Sequence, residues 1–333
     1  MIRKLLVFIA LLLPGVFAFA TDATSWPPHA TYRYAVKDGQ ALLMDDYLPT
    51  EGSETQLDGR AKPAIVFVFG GGFVTGTRND EYYKRWFKAL NDNGYRVFSI
   101  DYRIALAGKE VSGGLDAFKQ FYDAVLISSD DLLSASAWLV EHADSLGIDP
   151  GNLVVSGSSA GAMTVLQTDW ILANRGTQRA VKDGFAEGVS LPALETLPEG
   201  FRFAGVMSFA GSVLSRQGMP AYATPPAPTL LLHGTADKIV NYKKIHVFKW
   251  AFAGSDALAA IFRREGHPCN ILRYEAHAHE IAAAFMPTLP EQIRFLETVV
   301  VRGRGRSCDA LVDDPDIPLP DAALRNRKQL YGN

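Results

Sequence analysis

The segment from Leu153 to Leu172 constrains the fold of this chain more than any other part of the sequence. Leu153 to Ser156 is an apolar, β-branched run of the kind found in buried strands. Gly157 to Gly161, with the sequence GSSAG, follows at once, and Ala162 to Leu172 then has helical apolar periodicity. This order predicts a strand, a sharp turn and a helix, with Ser159 exposed at the turn because its small neighbours let the backbone bend. An ordinary Gly/Ser-rich turn is the alternative.

Strand-like and helix-like segments alternate along the rest of the chain, which predicts an α/β fold with a mostly parallel central sheet flanked by helices. We expect one domain over residues 21–333, with a possible small cap at residues 174–198 and an irregular, surface-draped tail from residue 302, held by Cys308. The predicted strands are 31–36, 41–48, 64–69, 95–101, 152–156, 203–209, 229–232 and 270–274, and the predicted helices are 81–91, 129–145, 243–252, 257–264 and 290–300.

The N-terminus has the pattern of a cleavable signal peptide over residues 1–20. Arg3 and Lys4 precede an apolar run that is shorter than the roughly 20 residues needed to span a bilayer, and an A-x-A site ends at Ala20. An uncleaved membrane anchor is the alternative. Cleavage changes the formal net charge from −3 to −5, and the scattered basic residues indicate no nucleic-acid partner. We expect a secreted or periplasmic protein without stable membrane insertion.

An exported chain with two cysteines, Cys269 and Cys308, is expected to form one disulfide in an oxidising compartment. Two unpaired thiols are the alternative. Neither cysteine lies in a C-x-x-C pair or a histidine-rich cluster, so the sequence predicts no metal site.

Ser159 needs a base and an orienting acid if it is to act as a nucleophile, because a serine hydroxyl is weakly reactive at neutral pH. Asp237 follows the buried strand 229–232 after a glycine turn, and we predict that it is the acid. Two histidines, His277 and His279, follow the last predicted strand. We favour His279 as the base because it stands further beyond the strand end, while His233 is expected to pack beneath the acid loop.

A glycine triplet, Gly70 to Gly72, follows the buried strand 64–69 directly. Glycine-rich loops in this position supply backbone N–H groups to an oxyanion, together with the residue after the nucleophile. We therefore predict Gly71, Gly72 and Ala160 as oxyanion-hole donors. A plain tight loop is the alternative, and the triplet fits no phosphate-binding pattern.

With these pieces in this order, the sequence resembles the α/β-hydrolase superfamily, and within it the carboxylesterases related to hormone-sensitive lipase and to bacterial feruloyl and acetyl-xylan esterases. The resemblance covers most of residues 31–300 and includes the Asp101-Tyr102-Arg103 strand end, for which it implies a structural role. It also implies that Ser159, Asp237 and His279 form a catalytic triad. The sequence departs from the family at Phe69, where a histidine that supports the glycine loop is usual.

The function implied is a serine carboxylic ester hydrolase that forms an acyl-enzyme on small or carbohydrate-linked acyl esters and needs no cofactor. A prolyl-oligopeptidase-like peptidase shares the turn and the order of the triad, but the chain has no large N-terminal propeller domain. A catalytically silent binding module would be expected to lack a triad member. The sequence carries no signal for acyl-chain length or oligomeric state.

Overall fold

Continuous apolar runs become the central strands of a sheet that is buried on both faces. In the computed structural model, Ala64–Val68 and Leu153–Ser158 are buried along their whole length, as parallel strands covered by helices are. The structure describes residues 26–110, 115–177, 191–247, 249–305, 307–313 and 317. The predicted signal peptide lies outside these residues.

Fourteen strands lie in the described part of the chain. They are β1 (Ala30–Lys37), β2 (Gln40–Tyr47), β3 (Gln56–Leu57), β4 (Arg60–Ala61), β5 (Ala64–Val68), β6 (Val97–Ile100), β7 (Leu153–Ser158), β8 (Gly205–Phe209), β9 (Ser212–Ser215), β10 (Thr229–Gly234), β11 (Lys244–Val247), β12 (Trp250–Gly254), β13 (Cys269–Tyr274) and β14 (Cys308–Val312).

Seven α-helices accompany these strands in the same described residues. They are α1 (Glu81–Asp92), α2 (Leu115–Glu141), α3 (Ala143–Leu146), α4 (Ala160–Ala173), α5 (Pro192–Thr196), α6 (Ser255–Glu265) and α7 (Leu289–Phe295). A 3-10 helix spans His279–Ala283, and a π-helical segment, Leu296–Val301, continues α7. Within the described residues, no helix has the length and apolar character that crossing a bilayer requires.

The main sheet has nine strands in the order β1-β2-β6-β5-β7-β8-β10-β13-β14. Only the pairs β1–β2 and β2–β6 are antiparallel among its described strands, and the other pairs are parallel. The carboxyl ends of β5, β7, β10 and β13 therefore meet at one edge of the sheet, which is where open α/β sheets bind ligands. The predicted mostly parallel sheet with flanking helices is confirmed.

Three predictions of local structure are wrong. Residues 243–252, predicted as a helix, form the β11–β12 hairpin, and β12 pairs with β9 in a separate three-stranded sheet. The helix predicted from residue 129 begins at Leu115. Part of the tail predicted to be irregular forms β14, a parallel edge strand next to β13. Residues 178–190 of the possible cap lie outside the described residues, and α5 follows them.

Both cysteines are free in the structure, so the disulfide expected between Cys269 and Cys308 is not present in it. The register explains why, because Cys308 stands opposite Asn270 rather than Cys269. Neighbouring residues of a strand point to opposite faces of the sheet, so the two thiols point to opposite faces. Cys269 is buried and Cys308 is exposed.

Candidate functional site

Ser159 lies in the sharp turn between β7 and α4, with φ 51° and ψ −113°. Such a backbone conformation is strained for a residue with a side chain. The flanking glycines are required, since a Cβ on Gly157 would lie 2.3 Å from Gly161 C and a Cβ on Gly161 would lie 2.0 Å from Val68 O. The Ser159 N–H donates to Phe209 O at 2.9 Å, which fixes the turn to the end of β8. The surrounding fold therefore holds the strained serine.

The structure brings Ser159, His279 and Asp237 together in one chain of hydrogen bonds. Ser159 Oγ lies 2.8 Å from His279 Nε2, and His279 Nδ1 lies 2.7 Å from Asp237 Oδ2. Since Nδ1 faces a carboxylate, it carries the imidazole proton, which leaves the Nε2 lone pair for the serine hydroxyl. This is the tautomer that a general base for Ser159 requires.

The carboxylate of Asp237 is buried and saturated with hydrogen-bond donors. Its Oδ1 accepts from the N–H groups of Ile239 at 2.8 Å and Val240 at 3.1 Å, and its Oδ2 lies within reach of His279 and His233. Burial alone raises the pKa of this carboxyl, but the charge of His279 and the hydrogen bonds from both histidines outweigh it and lower the pKa well below the ordinary value. Asp237 therefore stays ionised at neutral pH.

The side chain of His279 is 15% exposed to solvent. Burial lowers the pKa of His279, whereas the charge and hydrogen bond of Asp237, with a smaller contribution from Glu280, raise it, and the net shift is upward. A raised pKa strengthens the histidine as a base once it is deprotonated.

Of the two candidate histidines, His279 is the one that the structure places on Ser159. His277 Nδ1 lies 3.1 Å from Glu280 Oε1, and the same oxygen accepts from Ala278 N–H at 2.9 Å. Glu280 therefore shapes the turn that presents His279. Sequence reasoning assigned Glu280 no role, because nothing in the sequence near it indicates that its side chain folds back on the turn.

The loops that carry the acid and the histidine are tied to each other and to the turn at Ser159. Ala236 N–H donates to His277 O at 2.9 Å, and Ser158 Oγ donates to Ala282 O at 2.8 Å. These bonds connect segments that are far apart in the sequence. They leave the three side chains of the Ser159–His279–Asp237 chain little freedom to separate.

The glycine loop after β5 lies against the Ser159 turn. A Cβ on Gly70 would lie 3.4 Å from Ser159 Cβ, and three consecutive residues, Gly71 to Phe73, have positive φ. Within the described residues, no backbone acceptor is paired with the N–H groups of Gly71, Gly72 or Ala160. The loop therefore brings backbone donors close to the nucleophile without using them in the fold.

Aromatic packing at Phe69 supports this loop. The Phe69 ring stacks on Tyr102 with centroids 4.4 Å apart, and Tyr102 Oη donates to Phe69 O at 3.1 Å. From the other side, Tyr83 Oη accepts the Gly70 N–H at 3.2 Å. The role of Tyr83 was missed because its position on α1 gives no sign of contact with the loop.

Asp101 and Arg103 hold neighbouring segments in place beneath the site. Asp101 Oδ2 accepts from Arg78 at 2.8 Å and from Leu43 N–H at 3.3 Å. Arg103 pairs with Asp131 at 2.9 Å. The structure thus gives both residues structural contacts, and the described residues contain no group of three His, Cys, Asp or Glu side chains able to bind a metal ion.

The structure is similar to solved structures of esterase 2 from Thermogutta terrifontis. The structure phosphoramylated by tabun has a TM-score of 0.57 at 20% identity and covers 83% of this chain and 96% of that one. The butyrate-bound structure has a TM-score of 0.54 at 19% identity, with coverage of 80% and 92%. The chain has the α/β-hydrolase fold.

Sequence comparisons match less than half of this chain, and the match to a family model includes the glycine loop and the Ser159 turn. Residues 44–169 match the BD-FAE family model. Lipase 2 of Moraxella sp. (strain TA144) is 35% identical over 141 residues, 42% of this chain and 28% of that protein. Ethyl acetate hydrolase of Pseudomonas putida is 31% identical over 125 residues, 38% of this chain and 33% of that protein. The matched segments span about a third or less of these relatives.

Proposed function

We propose that this chain is a serine carboxylic ester hydrolase that acts through an acyl-enzyme on small or carbohydrate-linked acyl esters outside the cytoplasm. The observation that carries the proposal is the continuous chain Ser159–His279–Asp237, with contacts of 2.8 and 2.7 Å and the serine held in a strained turn. The similarity to relatives named as a lipase and an ethyl acetate hydrolase supports ester substrates. The N-terminal sequence pattern supports export.

In the acylation step, His279 Nε2 takes the hydroxyl proton as Ser159 Oγ bonds to the ester carbonyl carbon. The carbonyl oxygen becomes an oxyanion, and we assign its stabilisation to the N–H groups of Gly71, Gly72 and Ala160. Donors of this kind contribute on the order of 3 kcal/mol each to the transition state. As the tetrahedral intermediate collapses, the C–O bond to the alcohol breaks and His279 donates its proton to the departing alcohol oxygen.

In the deacylation step, water takes the place of the alcohol. His279 removes a proton from water, the resulting hydroxide adds to the acyl carbon, and the bond to Ser159 Oγ breaks as Oγ recovers the proton. Asp237 stabilises the imidazolium in both steps by its charge and by the bond to Nδ1. No step requires a cofactor.

The test is hydrolysis of p-nitrophenyl esters from acetate to decanoate, and of methyl ferulate, by the wild type, Ser159→Ala and a control, Ser136→Ala. Ser136 is buried, and among the described residues its hydroxyl donates to Leu132 O within α2 alone. We expect turnover in the wild type and the control and a loss of about a thousandfold or more in Ser159→Ala. After a rapid acid quench, intact-mass analysis should show one acyl group on the wild type.

Retained turnover in Ser159→Ala refutes the proposal. Absence of turnover in the wild type, across the series and on a peptide panel, would indicate a silent binding module instead. Hydrolysis confined to the peptide panel would indicate a peptidase. The dependence of the wild-type rate on acyl-chain length identifies the acyl groups that the site accepts.

A further inference from the structure

A second histidine, His233, contacts the carboxylate that orients His279. His233 lies within β10, near its carboxyl end, and is fully buried. Its Nε2 lies 3.1 Å from Asp237 Oδ2 and 2.9 Å from Val240 O, and its Nδ1 lies 2.8 Å from Ser255 Oγ. The mechanism of ester cleavage described above does not use this residue.

The partners of His233 determine where its ring protons lie. Nε2 faces a carboxylate and a backbone carbonyl, and since both are acceptors, Nε2 carries a proton. In the neutral ring, Nδ1 then accepts the hydroxyl proton of Ser255. Ser255 is the first residue of α6, so the start of this helix holds His233 in the tautomer that donates to Asp237.

His233 and His279 donate to the same oxygen, Oδ2 of Asp237. The contacts form a continuous line from Ser255 through His233, Asp237 and His279 to Ser159, with spacings of 2.8, 3.1, 2.7 and 2.8 Å. The other oxygen, Oδ1, is held by backbone N–H groups. Among the described residues, Oδ2 therefore has the two histidines as its hydrogen-bond donors.

We propose that His233 is a positioning residue that clamps the Asp237 loop and so keeps the carboxylate against His279 Nδ1. His233 contacts the loop at two points, the Asp237 side chain and the Val240 carbonyl three residues later. The proposal rests on the ester hydrolase function for its kinetic consequence. Its structural consequence, the proximity of Asp237 to His279, is measurable without turnover.

A group of charged and titratable residues near His233 forms hydrogen bonds and ion pairs among its own members: Tyr242, Arg273, Asp256 and Asp309. The Tyr242 ring meets the His233 ring edge to face at 5.5 Å, and the Tyr242 hydroxyl accepts from Arg273. Arg273, on the neighbouring strand β13 in register with His233, pairs with Asp256 and Asp309, both at 2.6 Å. The positive charge of Arg273 is therefore neutralised locally, and Asp237 is the carboxylate that His233 contacts.

The experiment compares His233→Leu, His233→Gln and Ser255→Ala with the wild type. Glutamine carries an amide N–H that can replace the Nε2 donor, while leucine removes the donor at similar volume. The control is Asn91→Leu in α1. This substitution removes a buried side-chain donor to two backbone carbonyls, Tyr47 O and Tyr95 O. A thermal unfolding curve is measured for each variant, and the assays are run at a temperature at which all of them are folded.

The first readout is the pKa of His279 from NMR titration of ¹⁵N-histidine-labelled protein, with the signal assigned by its loss in His279→Asn. We expect His233→Leu to lower the pKa of His279, because the carboxylate that raises it is no longer held in place. His233→Gln should restore most of the wild-type value, Ser255→Ala should show a smaller decrease, and Asn91→Leu none.

The second readout is the kinetics of p-nitrophenyl acetate hydrolysis. We expect His233→Leu to decrease kcat about 10- to 100-fold, as the loss of a hydrogen bond to a charged group does, with KM nearly unchanged. An unaltered or raised pKa of His279 in folded His233→Leu overturns the proposal, as does an equal decrease in Asn91→Leu. A wild type without turnover on any ester from acetate to decanoate or on methyl ferulate would refute the ester hydrolase function alone, because the titration of His279 still tests the effect of His233 on Asp237.

Discussion

Replacing Asp237 with asparagine exchanges one carboxylate oxygen for an amide nitrogen that donates hydrogen bonds. Oδ1 of the wild type already accepts from the N–H groups of Ile239 and Val240, so the remaining amide oxygen is needed there. The new NH₂ group then faces the two imidazole nitrogens of His233 and His279. Donors would face donors at both contacts unless the rings change tautomer.

For His279 the change of tautomer removes its function as a base. Accepting from the asparagine NH₂ requires a bare Nδ1, which places the proton on Nε2, the atom 2.8 Å from Ser159 Oγ. An Nε2 that already carries a proton cannot take one from the serine hydroxyl. Loss of the correct tautomer in a serine triad decreases kcat about 10⁴-fold, which is about 5.5 kcal/mol of transition-state stabilisation at about 1.4 kcal/mol per tenfold.

The pH dependence of the rate should change as well. In the wild type, the raised pKa of His279 places the acid limb of kcat/KM above the ordinary histidine value of about 6.5, since only neutral His279 accepts the serine proton. The variant lacks the carboxylate charge, whereas the burial that lowers the pKa remains. The acid limb of its residual activity should therefore move to lower pH.

The difference in unfolding free energy between wild type and Asp237→Asn should decrease both at low pH and at high pH. The lowered pKa of Asp237 stabilises the fold above its unfolded value of about 3.9, and this contribution is lost as the pH falls through the folded value. The raised pKa of His279 stabilises the fold below about 6.5 and is lost as the pH rises through the folded value. The difference should be largest between about pH 4 and pH 6.5.

Initial rates on p-nitrophenyl acetate from pH 5 to pH 9 and urea unfolding from pH 3 to pH 9 measure these effects. Asp237→Glu is the comparison, because it keeps the charge and moves its position. A kcat of Asp237→Asn within tenfold of the wild type would refute the tautomer argument. A stability difference that does not vary with pH would refute the assignment of the shifted pKa values to this pair.

Three further perturbations test other parts of the molecule. Gly71→Ala, whose Cβ would lie 2.0 Å from a backbone oxygen, should lower kcat about a hundredfold, whereas Gly108→Ala, with open space around its Cβ, should not. Burial raises the pKa of Asp169 to about 7, so the fold loses stability as the pH rises from the unfolded value of about 3.9 to about 7, and Asp169→Asn should raise Tm at pH 8 and change it little below about pH 4. Ellman's reagent should titrate exposed Cys308 in the folded protein and reach buried Cys269 only after unfolding.

The sequence predicted the central strands, and the turns after them that contain Ser159 and Asp237, because both depend on short-range patterns. Ser159 and Asp237 each follow a run of buried residues and a glycine, and the parallel sheet brings such positions to a common edge. The choice between His277 and His279 depended on a three-dimensional contact, and the structure places His279 on the serine.

The wrong predictions depend on partners that are distant in the sequence. Residues 243–252 form a local hairpin, but its strand β12 also pairs with β9, which ends 35 residues before β12 begins. Likewise, the pairing of Cys269 with Cys308 depends on strand register. A shift of one residue between β13 and β14 decides whether the two side chains share a face.

The glycine loop, Gly70 to Gly72, is supported by residues outside the triplet that identifies it, among them Phe69. The Phe69 ring fills the space between Tyr102 and Gly76, since a Cβ on Gly76 would lie 2.6 Å from the ring. Gly76 has φ 116°, and its Cβ would also lie 2.5 Å from Gly70 O. The phenylalanine and the glycine are therefore needed together, because any side chain at position 76 would displace the ring that stacks on Tyr102. The conformation of the glycine loop thus depends on a residue four positions beyond the triplet, and a search for the triplet alone does not include it.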